Sequence, residues 1–149
     1  MNITPIAMER QFFERLTLGN KEAQDWLNLW GTYIHWVDDI IDEDVDGQFI
    51  LNTFAMPIEI YTHPFFLKHG HQLRQLIINC TNAYADCVAW EKTGTDWQQG
   101  FTDHYRHFGC ELGLAVAYIV GGWQHMRSVS LELRTACWVD HHDKDQNAT

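Results

Sequence analysis

Between its few prolines and glycines the chain repeats apolar residues at helical spacing, over stretches too long for strands. Ala23, Leu27, Trp30, Ile34, Val37 and Ile41 recur at alternating intervals of four and three, with Trp26, Leu29, Tyr33, Trp36 and Ile40 as a neighbouring stripe. A strand alternates every second residue and would scatter these positions over both faces. The same helical pattern returns at Leu73, Leu76, Ile77, Cys80, Tyr84, Cys87 and Val88. Gly109 to Trp123 is apolar on every face apart from Glu111, yet shorter than the roughly 18 residues a membrane span needs, so it reads as a central bundle helix. The expected fold is a compact all-α bundle of about five to six helices around that central apolar helix. The 149 residues suit one domain.

Local signals set the expected boundaries. A first helix runs from Pro5 to Leu18 with Thr4 as N-cap and Gly19 at its end, and Asn20 caps a second helix to Asp42. Asp46-Gly47 reads as a turn, and Phe49 to Tyr61 as two short helical pieces or a helix kinked at Pro57. His63-Pro64 and Lys68-His69-Gly70 read as a connector, followed by a third long helix to Trp90 closed by Thr93-Gly94-Thr95. A further helical unit spans Asp96 to Trp123, with Gly121-Gly122 as a helix end or break, and a closing helix spans Ser128 to Val139. Residues 1–139 form the domain and 140–149 a polar tail that frays.

Cys80 and Cys87 lie two turns apart on one helix, about 10 Å along its axis, and cannot bridge each other. With Cys110 and Cys137 they are expected to be buried thiols. No secretory pattern opens the chain, so the expected compartment is the cytoplasm. The net charge of −10 disfavours nucleic acid and anionic membranes and favours a cation or a basic surface. Two adjacent apolar stripes on the second helix and the 7 tryptophans exceed what a small bundle needs, which points to a homodimer.

The acids are concentrated at the end of the second helix, in Asp38-Asp39-Ile40-Ile41-Asp42-Glu43-Asp44. Asp38 and Asp42 sit one turn apart, with His35 close by and Asp39 and Glu43 on the flank. The bland alternative is a solvated polar face. Against it, no Lys or Arg occurs between Lys21 and Lys68, and carboxylates at a helix C-terminus are disfavoured by about 0.3–1 kcal/mol each. Gly31, two turns earlier on the same face, also costs about 1 kcal/mol relative to Ala and leaves room for a ligand or a crossing helix. Paired carboxylates suit Mg²⁺, which keeps waters and substrate phosphates as its other ligands, so the pattern points to diphosphate chemistry.

Asp38-Asp39-Ile40-Ile41-Asp42 resembles the DDxxD motif of class I isoprenoid synthases. The resemblance implies an all-α fold in which these aspartates, as catalytic residues, bind Mg²⁺ and a substrate diphosphate. It also implies a second acidic site on a facing helix, for which Asn82 and Asp86 are the candidate ligands; Trp138 to Asp145, which echoes Trp36 to Glu43, is the alternative. A compact all-α nucleotide pyrophosphohydrolase is a competing reading, since it too relies on carboxylates carried on helices.

His104, His107 and Glu111 share one face of the expected Asp96–Trp123 helix and should point inward. They form a candidate transition-metal set, weighed against ordinary hydrogen-bonded core histidines. Glu111 is the candidate catalytic member, because an apolar helix should not bury an unpaired carboxylate. The rival to every enzymatic reading is an acidic helical protein that docks on a basic partner.

Overall fold

The structure is a computed structural model that describes residues 8–43 and 45–147, apart from the side chains of residues 106, 107 and 138–147. The described residues contain no strand. They form α1 (Arg10–Thr17), α2 (Lys21–Asp42), α3 (Gly47–Thr62), α4 (Pro64–Thr93), α5 (Asp96–Tyr105), a 3-10 turn (Arg106–Gly109) and α6 (Cys110–Asn147). The all-α class read from the sequence is the observed one. No helix among the described residues is long and apolar enough to cross a membrane. The chain divides into two compact units, residues 1–70 and 71–149.

In the first unit, α1 ends where Leu18 and Gly19 both take left-handed φ values, 49° and 68°. This conformation turns their N–H groups back onto the carbonyls of Arg15 and Glu14. Thr4 and Pro5, the expected start of this helix, lie outside the described residues. Asn20 caps α2 as expected, its side chain accepting from the Ala23 N–H at 3.0 Å. Buried Gln24 ties α2 to α1 by donating to Thr17 Oγ1 and to Glu14 Oε2, each at 3.0 Å.

Asp46 is the N-cap of α3 rather than part of a turn, since its carboxylate accepts from the Phe49 N–H at 2.8 Å. The helix then runs through Pro57 to Thr62 as one element, not as the two short pieces that were one of the expected alternatives. The expected connector is helical as well. Pro64 opens α4 at the first helical position, where its missing N–H costs nothing, and His63 Nδ1 accepts from the Phe65 N–H at 3.2 Å. Gly70 lies inside α4, where a Cβ would come within 2.9 Å of the Phe66 ring.

Trp26 joins these elements. It is fully buried, stacks on Trp30 and Phe66 at 6.1 and 6.2 Å between centroids, and lies 5.9 Å from Phe65. Its indole N–H donates to the Ile60 carbonyl at 3.2 Å. In a continuing helix that carbonyl would accept from residue 64, but residue 64 is proline and has no N–H to give. The tryptophan therefore satisfies an acceptor that the α3–α4 junction leaves over. Trp36 meets Phe49 at 5.4 Å, so α2 and α3 run antiparallel, with the Asp42–Gly47 corner at one end.

In the second unit, Leu73, Ile77, Cys80, Ala83 and Cys87 give α4 a buried face. The helix expected from Asp96 to Trp123 is interrupted by the 3-10 turn at Arg106–Gly109. Within α6 Gly122 is non-helical, with φ 76° and ψ −173°, which bears out the break expected there. Residues 20 apart on a straight helix would be about 30 Å apart. Here a Cβ on Gly113 would come within 3.0 Å of Leu133, and Glu111 pairs with Arg134, so the chain folds back at Gly122 into two antiparallel arms. The first arm buries Leu112, Leu114, Val116 and Ala117 and is the expected apolar helix. The second continues through Asn147, where fraying was expected from residue 140.

The hairpin register also brings Cys110 and Cys137 together as a disulfide, with Cα atoms 6.8 Å apart. This corrects the expectation of thiols at those positions. Cys80 and Cys87 form no disulfide and are buried, as expected.

Replacing Trp26 with Phe keeps most of the ring packing but strands the Ile60 carbonyl. The expected loss is about 1–3 kcal/mol of unfolding free energy in urea, with little change in helical circular dichroism. Wild-type stability in Trp26→Phe would refute the assigned role of the indole N–H.

Candidate functional site

The acidic corner is built by two helix ends. Asp38, Asp39 and Asp42 lie in the last turns of α2, which holds no basic residue in its final turn. Glu43 takes an extended conformation as C-cap, its N–H returning to the Asp39 carbonyl at 2.9 Å. Asp38 and Asp39 are half-buried, whereas Asp42, Glu43 and His35 are exposed. Asp46 is spent on capping α3, and Asp44 lies outside the described residues. The ring contact between Trp36 and Phe49 pins this turn against the start of α3. Gly31, on the face of Asp38, is buried.

Asp38 and Asp42 are thus brought together as expected, one helical turn apart, where side-chain origins lie about 5–6 Å from each other. Two carboxylates at this spacing, partly open to water, can share one hard cation that keeps its own waters. Among the described residues no group of three or more His, Cys, Asp or Glu side chains could hold a metal by itself.

Asn82 and Asp86 lie in the second unit, on an exposed face of α4. The Asn82 amide donates to Asp86 Oδ2 at 3.3 Å, and two turns earlier Gln75 donates to Asn79 at 3.0 Å. This is a ladder of amide and carboxylate partners along one helix face. The side chains of the alternative segment, Trp138 to Asp145, lie outside the described residues from position 138 on.

Of the expected inward set, His104 is exposed on α5 and so does not point inward, His107 falls within the 3-10 turn with its side chain outside the described residues, and Glu111 stands on α6. Glu111 is engaged by Arg134 at 2.7 Å, with the carboxylate side chain 28% exposed. The sequence reasoning missed this arginine because it stands on the returning arm of α6, and only the reversal at Gly122 brings it back.

Around Glu111 lies a feature that the sequence did not suggest. The Cys80 Sγ lies 3.6 Å from the Phe108 carbonyl, and its pKa is raised to about 11, first by burial and then by the negative charge of Glu111. Cys80 is therefore an unreactive, protonated thiol at neutral pH.

No protein-family model matches the chain, and no curated protein or solved structure is significantly similar to it.

A folded pKa raised above the unfolded value stabilises fully below the unfolded value, here 9.0, and that stabilisation is lost as pH rises towards about 11. Tyr61, raised by burial and then by Tyr33, acts with the same sign. Stability should therefore fall from pH 9 to 11, and fall less steeply in Cys80→Ala, as measured by urea unfolding across that range. Equal slopes for the two proteins would show that Cys80 does not contribute.

Proposed function

We propose that the chain binds Mg²⁺ through Asp38 and Asp42, with Asp39 on the flank, and that the metal holds the diphosphate of a small-molecule substrate. The observation that carries this reading is the pairing of two carboxylates on the last turn of α2, fixed by the Trp36–Phe49 contact. Such a turn is electrostatically unfavourable without a cation, because like charges at helical neighbours and the helix dipole act in the same direction. A bound Mg²⁺ would offset both and leave coordination positions for waters and phosphate oxygens.

The chemistry would be metal-assisted departure or hydrolysis of a diphosphate, in an isoprenoid-synthase-like or nucleotide-pyrophosphohydrolase-like enzyme. Asn82 and Asp86 stay in the proposal as a second ligand pair. Glu111 is given no catalytic part, since Arg134 already engages its carboxylate. A homodimer completes the reading. A cytoplasmic location rests on the unbridged, buried Cys80 and Cys87, although the Cys110–Cys137 pair pulls the other way.

Replacing Asp38 and Asp42 together with Asn should abolish specific Mg²⁺ binding in calorimetric titration, with and without inorganic pyrophosphate. It should leave the metal-free fold as stable as wild type or more stable by about 0.5 kcal/mol. Identical, weak, salt-like titrations of the two proteins would end the diphosphate reading and favour docking of the acidic corner on a basic partner protein.

A further inference from the structure

The apolar surplus of the first unit lies on α3. Thr53, Met56 and Ile60 face inward, yet Phe54 is 84% exposed, Ile58 67%, Leu51 66%, Ile50 43% and Tyr61 41%. At 100° per residue these exposed positions fall within one arc of about 100°, centred near Phe54. No residue charged at neutral pH lies in that arc. Glu59, the acid of α3, sits on the polar shoulder near Gln48 and Asn52, whose side chains bond each other at 3.0 Å.

We infer that this face of α3 is a homodimer interface, on which a second copy of the chain packs antiparallel with Phe54 near the two-fold axis. The exposed side chains offer roughly 500 Å² of apolar surface, at the upper end of what a monomer leaves uncovered. Two copies would remove about 1,000 Å² from these side chains alone, the lower bound for a specific interface. For a protein of net charge −10 a charge-free strip is where copies can approach without repulsion.

Charge distribution along α3 selects the antiparallel arrangement. Its N-terminal end adjoins Asp38, Asp39, Asp42, Glu43 and Asp46, and its C-terminal end leads into His63, Lys68 and His69. Lys68, which holds Glu22 at 2.7 Å, keeps 60% of its side chain exposed. An antiparallel pair keeps the acidic ends of the two copies apart and sets each beside the less acidic end of the other, near Lys68, whereas a parallel pair would stack the acidic ends together. The absence of Lys and Arg from α3 and from residues 22–67 argues against an anionic membrane as the occupant.

The inference is independent of the Mg²⁺ reading and is tested without metal. Sedimentation velocity of the full chain should show a dimer, and Phe54→Glu should convert it to a monomer with unchanged helical circular dichroism. Because Phe54 touches little of its own unit, loss of fold is not expected; Gln48→Glu, on the polar shoulder, should remain a dimer. Under mild oxidation a mixture of Ile50→Cys and Ile58→Cys should cross-link to each other, and each variant alone should not cross-link through the new thiol. A wild-type monomer at high concentration, a dimer that survives Phe54→Glu, or Ile50→Cys cross-linking to itself would each overturn the proposal.

Discussion

The carbonyl of Ile60 needs a partner that its own helix cannot supply, and the indole of Trp26 provides one. A buried carbonyl without a donor costs on the order of 1–3 kcal/mol, a large fraction of a small domain's net stability. Pro64 creates the need, and the rings of Trp30, Phe65 and Phe66 hold the tryptophan that meets it. The α3–α4 junction, where two helices change direction within a couple of residues, is thereby anchored to the middle of α2. With α2 and α3 fixed antiparallel, the acidic corner at Asp42–Gly47 and the outward face of α3 follow from the same packing.

The two halves of α2 do different work. Trp26, Leu27, Leu29 and Trp30 are consumed by the core of the first unit, while Ile34 and Ile41 are 39% exposed and the helix ends in carboxylates. The first half supplies rigidity and the second carries carboxylates with no Lys or Arg nearby in the sequence. That division is what a cation site on a rigid helix requires. The apolar surplus attributed from sequence to α2 is greatest on α3, because the first half of both α2 stripes is buried within its own unit.

What could be read in advance depended on how local its cause was. Asn20 capping α2 and Gly122 breaking α6 are effects of one residue on its own backbone, and both were legible. Pro64 and Gly70 misled for a related reason. Each is a helix breaker in isolation, but Pro64 sits where an N–H is not needed and Gly70 where the Phe66 ring leaves no room for a Cβ. The pairs Cys110–Cys137 and Glu111–Arg134 depend on the direction in which α6 returns after Gly122, which no spacing along the chain discloses. For the site, the pairing of Asp38 with Asp42 was legible because helical spacing alone sets it. His104 was expected to face inward and is exposed, because the 3-10 turn at Arg106–Gly109 interrupts the single helix on which that expectation rested.

The central functional claim is that the end of α2 is a specific divalent-cation site and not one part of a diffuse acidic surface. Mn²⁺ in place of Mg²⁺ tests it most directly, because the paramagnetic ion broadens only those backbone amide signals near where it sits. The account predicts that trace Mn²⁺ selectively broadens the amides from about Trp36 to Gly47, more sharply when inorganic pyrophosphate is added. Equal broadening of all exposed acidic residues, or broadening centred elsewhere in the chain, would contradict it.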